Sequence, residues 1–106
     1  MKRIAVIGAG SWGTALGVVA ARAGHEVHLW SHNPAVVETI NSEHINPHYL
    51  TEVRIPDTVQ ATSNIIDAVN ASDMVILAAP SHATRELVAA MTPALRAGRP
   101  WSQPFA

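Results

Sequence analysis

The stretch Ile4-Ala5-Val6-Ile7-Gly8-Ala9-Gly10-Ser11-Trp12-Gly13-Thr14-Ala15-Leu16 decides the fold. Four consecutive apolar residues, Ile4 to Ile7, read as a parallel strand buried on both faces. Glycines follow at once, and behind them Thr14 to Ala23 reads as a helix. Leu16, Val19 and Ala23 share one stripe of that helix, and Gly24 is placed to end it. A G-x-G-x-x-G spacing is weak evidence by itself, but between a buried strand and a helix start it has a mechanism. Gly8 permits a tight turn, Gly10 lets the backbone approach a pyrophosphate, and Gly13 lets helix and strand pack closely. The N–H groups of the helix start and the positive end of its dipole then face the anion. A turn that binds nothing is the bland alternative. It is disfavoured because three glycines at this spacing lower stability unless something needs them. Ser11 and Trp12 lie inside the turn, and Trp12 suits a core role and a cofactor-facing role about equally.

Outward from this turn, strands and helices alternate. Glu26 to Ser31 is a second strand. Asn33-Pro34 opens a second helix, with Asn33 as N-cap and Pro34 in the first helical position. Asn41 to Thr58 reads as irregular, holding Pro47 and Pro56. Thr58 to Thr62 is a short strand, and Ser63 to Val69 a short helix capped by Ser63 or Thr62. Met74 to Ala79 is a second strongly apolar strand, ended by Pro80. Ser81 is placed to cap a helix that carries Leu87, Val88 and Met91 on its core face, with Pro93 kinking or ending it. This alternation predicts right-handed βαβ units and a Rossmann-like, doubly wound parallel α/β sheet in the order 3-2-1-4. A fifth strand is expected beside the fourth, starting near Arg99. Pro100 and Pro104 suit an edge or tail, so the sheet is expected to be incomplete at its C-terminal edge.

Composition narrows the function. The chain has 106 residues, 48% hydrophobic and 14% charged, with a formal net charge of −1. That is room for one domain, and it fits a compact core rather than a disordered tail. Without a run of Lys or Arg, neither a nucleic-acid nor a membrane partner is expected. Cysteine is absent, which excludes disulfides, thiolate metal sites and thiol nucleophiles, and cytoplasm is the default compartment. The Lys2-Arg3 start imitates a secretory leader, but the apolar run Ile4 to Ile7 is too short for one. His44 and His48 have helical spacing, yet Pro47 stands between them, and no metal is expected. Ser81-His82 lacks the surroundings of a hydrolase nucleophile.

The end of the second strand bears on which dinucleotide is held. An acidic residue about 20 positions past the turn would bond a ribose 2′-hydroxyl and repel a 2′-phosphate. From Val27 to Val37 none is present. Ser31, His32 and Asn33 stand there instead, all able to donate hydrogen bonds, so NADP is expected to be accepted at least as well as NAD. Asn33 has a rival role as helix cap, and that is expected to be its main one.

The quoted opening resembles that of bacterial NAD(P)-dependent glycerol-3-phosphate dehydrogenase. So do Gly24-His25-Glu26-Val27 with Leu29-Trp30, Ile40-Asn41 with His44, Asn46 and Tyr49-Leu50, and Ala79-Pro80-Ser81 followed by Arg85. The likeness runs from about Lys2 to Leu95, and its Ser-Trp-Gly-Thr-Ala-Leu continuation is far more specific than the glycines. It implies reversible hydride transfer between dihydroxyacetone phosphate and sn-glycerol 3-phosphate, serving phospholipid synthesis. It implies cofactor contacts at Ser11, Trp12 and His32, often with Asn33, and places Tyr49 beside them. Pro80 and Ser81 fall near the nicotinamide half.

The likeness stops near Trp101. An Ala-Lys-Gly segment and a helical substrate domain with a catalytic lysine are expected next, whereas the chain reads Ser102-Gln103-Pro104-Phe105-Ala106 and its one lysine is Lys2. The expectation is therefore a dinucleotide-binding part at 1–98, a divergent tail at 99–106, no substrate domain and no catalytic residue. The chain alone is expected to show no turnover. The alternative is a non-catalytic nucleotide-binding module that pairs with another chain, or with its own copy, through an uncovered sheet edge.

Overall fold

The computed structural model describes residues 2–46, 54–78, 84–95 and 101–102. Nine elements follow in order: β1 (Arg3–Ile7), α1 (Ser11–Arg22), β2 (Glu26–Trp30), α2 (Pro34–Glu43), β3 (Val59–Thr62), α3 (Ile65–Asn70), β4 (Met74–Leu77), α4 (Thr84–Leu95) and β5 (Trp101–Ser102). The strands form one sheet in the order β3-β2-β1-β4-β5, and every pairing is parallel. The fifth strand expected near Arg99 is described at Trp101–Ser102.

Alternation along the central strands builds two cores. Ile4 and Val6 of β1 point into one cluster with Val27, Leu29, Val36, Ile40, Val59 and Ala61, beneath α1 and α2. Ala5 and Ile7 point to the other face, with Val75, Leu77, Ala68, Val69 and Met91, beneath α3 and α4. Helices on both faces explain why β1 reads as a continuous apolar run: neither side of it meets water. At the far end of the sheet, Arg3 and Asp73 tie β1 to the start of β4. The guanidinium donates to both carboxylate oxygens, at 3.3 and 3.0 Å, the Arg3 N–H donates to Asp73 Oδ2, and the Asp73 N–H donates to the Arg3 carbonyl.

Several expectations change. The stripe Leu16, Val19 and Ala23 is not the buried face of α1. Val19 is 65% exposed, and the residues against the sheet are Gly13, Thr14, Gly17, Val18 and Ala21. The reason is close approach: the helix lies down on its glycines, and a side chain at Gly17 would already touch Val27. Helix α1 starts at Ser11, three residues earlier than Thr14, and α2 runs through Glu43 into the stretch expected to be irregular. Its end is marked by His44 in the left-handed conformation, φ 59°. The cap of α3 is Asn64, not Ser63 or Thr62. The helix begins later than either reading needs, at Ile65, and the Thr62 hydroxyl accepts from the Asn64 N–H. Strands β2 and β4 end one and two residues sooner than read. Pro93 sits in the last turn of α4, which closes at Leu95, and Met91 is fully buried with Leu87 and Val88 packed beside it.

Candidate dinucleotide site

Where β1 meets α1, each glycine has a separate physical reason. Gly8 has φ +124°, a conformation that a side chain would strain, and its N–H bonds to the Trp30 carbonyl at 3.0 Å. A Cβ on Gly13 would stand 1.8 Å from the Gly8 carbonyl oxygen and 3.4 Å from Ala78 Cβ, so only glycine lets the helix come this close to the strand. Gly10 differs from both. Its angles, φ −73° and ψ −174°, suit any residue, and an added Cβ would meet nothing within 4 Å. Neither conformation nor protein packing asks for glycine there. What remains is the open side of the turn, where a bound group would come within contact of the backbone.

The start of α1 fits an anion as well. Gly10 occupies the N-cap and offers no side-chain bond, and the first turn carries no acidic residue. Helices α2 and α3 are capped by the carboxamides of Asn33 and Asn64. Ser11 and Trp12 are exposed on the first turn of α1, Trp12 at 45%.

Next to this turn in the sheet, β2 delivers Ser31, His32 and Asn33. Ser31 is buried, and its hydroxyl accepts the Asn33 N–H at 3.1 Å. Asn33 caps α2 as expected, its Oδ1 accepting from the Ala35 N–H at 3.0 Å. His32 is exposed and lies at a tilt against Trp30, with ring centroids 6.3 Å apart. Trp30 is fixed in turn by its indole N–H on the Ser63 carbonyl, 3.0 Å away. The β1–β2 pairing, which aligns Ile7 with Trp30, brings the ends of the two strands together. Gly8, Gly10, Ser11, Trp12, Gly13, His32 and Asn33 therefore gather at one edge of the sheet. Tyr49, Pro80 and Ser81 lie outside the described residues, as do His48 and His82. His44 serves as the C-cap of α2.

One residue of the site carried no role in the sequence reading. Asn46 is fully buried, and its Nδ2 donates to the Ala9 carbonyl at 2.8 Å and to the Thr14 hydroxyl at 3.0 Å. An asparagine amid prolines and polar residues reads as loop. Only its place in the family resemblance set it apart.

Comparison with known proteins gives the family. The family described as "NAD-dependent glycerol-3-phosphate dehydrogenase N-terminus" matches residues 3–102. A glycerol-3-phosphate dehydrogenase [NAD(P)+] of Stenotrophomonas maltophilia is 46% identical over 96 residues, which is 91% of this chain and 28% of that protein. One from Chlorobium phaeobacteroides is 49% identical over 87 residues, 82% of this chain and 26% of its own length. Among solved structures, glycerol-3-phosphate dehydrogenase from Coxiella burnetii superposes with a TM-score of 0.86 at 33% identity, covering 96% of this chain and 32% of that one. The chain thus spans between a quarter and a third of the relatives it matches.

Proposed function

Because the chain belongs to the family of NAD-dependent glycerol-3-phosphate dehydrogenase N-termini, we propose that it holds the nicotinamide dinucleotide for the dehydrogenase reaction of that family. The single observation that carries this reading is Gly10, a glycine that neither backbone angle nor packing requires, set on the open side of an uncapped helix start. Backbone N–H groups of the Gly8–Gly13 turn and the dipole of α1 would hold the pyrophosphate. Ser11 and Trp12 flank it, and His32 with Asn33 meets the adenosine ribose. By resemblance, Tyr49, Pro80 and Ser81 complete the cofactor surface. The bound nicotinamide supplies the chemistry, exchanging a hydride with dihydroxyacetone phosphate or sn-glycerol 3-phosphate. This chain's own part is binding and orientation, and we assign it no catalytic residue. We place it in the cytoplasm with its small-molecule cofactor. No described helix is long and apolar enough to cross a membrane.

A chimera tests the activity. This chain would be joined to the part of the Coxiella burnetii relative that follows the matched third, and assayed for NADPH-dependent reduction of dihydroxyacetone phosphate. Turnover within about tenfold of the intact relative is the expected result; a folded chimera that binds dinucleotide and turns nothing over would contradict it.

One observation favours a second reading, a nucleotide-binding module that pairs through its sheet. The β3 edge is closed by the Asn41 carboxamide, so pairing by strand addition would use the opposite side of the sheet, past Trp101–Ser102. A concentration-independent monomer in sedimentation would remove it.

A further inference from the structure

We infer that Asn46 is a positioning residue that turns the phosphate loop toward its ligand, an inference that rests on the dinucleotide reading above. Asn46 follows α2 and lies 37 positions from Ala9 in sequence, yet it reaches the underside of the turn. There its Nδ2 donates to the Ala9 carbonyl at 2.8 Å and to Thr14 Oγ1 at 3.0 Å, and Thr14 Oγ1 also approaches the Ala9 carbonyl, at 3.4 Å. Both Asn46 and Thr14 are buried, at 0% and 2% exposure. The three groups form a polar triangle beneath the turn.

The consequence follows from the planar trans peptide. Its C=O and N–H point in opposite directions, so whatever fixes one aims the other. Asn46 holds the Ala9 carbonyl inward, and the Gly10 N–H of the same peptide unit is thereby directed outward. A Cβ added at Gly10 would meet no described atom within 4 Å. The arrangement does two things for an anion: it presents a donor, and it removes a carbonyl oxygen whose partial negative charge would repel phosphate. Thr14 couples the same triangle to α1, because the Thr14 N–H makes a first-turn bond to the Gly10 carbonyl at 2.9 Å. Asn46 thus sets the loop and the start of the helix together, without touching the ligand.

The test uses the ligand-free chain and two small probes. Asn46→Asp keeps the size of the side chain but replaces the donor with an acceptor that faces the Ala9 carbonyl. Thr14→Val keeps the shape and deletes one corner of the triangle. Amide order parameters should fall at Gly8–Gly13, from about 0.85 toward 0.6 or below, while β1 and β2 stay rigid. ADP-ribose, which carries the pyrophosphate, should bind about 10- to 100-fold more weakly, and adenosine, which lacks it, within about twofold of the unsubstituted chain. If Asn46→Asp does not fold, Thr14→Val carries the comparison with a smaller loss in the same pattern. Unchanged order parameters in a folded variant, or equal losses for the two probes, would overturn the assignment. If the unsubstituted chain takes up no ADP-ribose, the dinucleotide reading fails, and the order parameters still decide whether Asn46 holds the turn.

Discussion

Asn41 binds Ala61 the way a neighbouring strand would. Its Nδ2 donates to the Ala61 carbonyl at 2.9 Å, and its Oδ1 accepts the Ala61 N–H at 2.8 Å. Ala61 is a residue of β3 whose backbone groups point away from β2, toward the outer edge of the sheet. One carboxamide on α2 therefore satisfies the middle of an edge strand that would otherwise offer a template to another chain. Asn41→Ala should lower stability by about 1–3 kcal/mol, because two backbone groups lose their partners. It should also raise self-association. Urea unfolding and sedimentation at several concentrations check both, and an Asn41→Ala chain as stable and as monomeric as its parent would refute the account.

The glycines of the turn should separate fold from function. Gly13→Ala puts a methyl group 1.8 Å from the Gly8 carbonyl oxygen, and relieving that clash should cost at least about 1–3 kcal/mol. Gly10→Ala meets no described atom and suits the existing backbone, so it should cost no more than about 1 kcal/mol, the difference between the two residues at an N-cap. Its dinucleotide affinity should nevertheless fall about tenfold or more, since the methyl stands where the backbone must approach the pyrophosphate. Paired melting curves and binding titrations measure this, and Gly10→Ala with undiminished affinity would contradict it.

Acid should weaken the far end of the sheet first. The hydrogen bond from the Arg3 guanidinium, with the Arg3 backbone N–H beside it, holds the Asp73 carboxyl below the usual carboxylate range. A group whose folded value is lowered stabilises the fold above its unfolded value, about 3.9, and that contribution is lost as pH falls through the lowered folded value. Asp73→Asn should therefore flatten the acid limb of the stability profile below about pH 4 and leave less difference between pH 4 and pH 2. Denaturant titrations across that range follow it. Parallel acid limbs in the two proteins would show that the pair contributes nothing, as exposed ion pairs often do.

We propose that cofactor choice is set at the end of β2, where no acidic residue stands between Val27 and Val37. NADP should bind at least as tightly as NAD. His32→Asp, at an exposed position beside the adenosine end, should shift the ratio toward NAD by about tenfold, because a carboxylate repels the 2′-phosphate and accepts from a 2′-hydroxyl. Calorimetry with both cofactors decides the matter, and a strong preference for NAD in the unsubstituted chain would reverse this assignment.

Much of this was legible in the sequence because it is local. The apolar run Ile4 to Ile7, the glycine spacing and the Asn33-Pro34 cap each act within a few residues, and together they gave the strand order. What the sequence hid is what tertiary contact decides. Asn41 and Asn46 find partners 20 and 37 positions away, and nothing local distinguishes them from loop asparagines. The buried face of α1 was misread for a related reason. Of the apolar stripe, Leu16 packs against the core but Val19 is exposed, and the sheet is approached through Gly13 and Gly17, whose value lies in having no side chain. Asn64 takes the cap because α3 begins at Ile65, which puts Asn64 at the N-cap with its Oδ1 accepting from the Ile66 and Asp67 N–H groups.

The central claim, an anion resting on the turn between β1 and α1, is tested most directly by titrating the labelled, folded chain with ADP-ribose and following its backbone amide shifts. The largest saturable movements are predicted at Gly10 to Gly13, with smaller ones at His32 and none at Arg3 or Asp73. A folded chain in which those turn amides stay fixed at millimolar ADP-ribose would contradict the account.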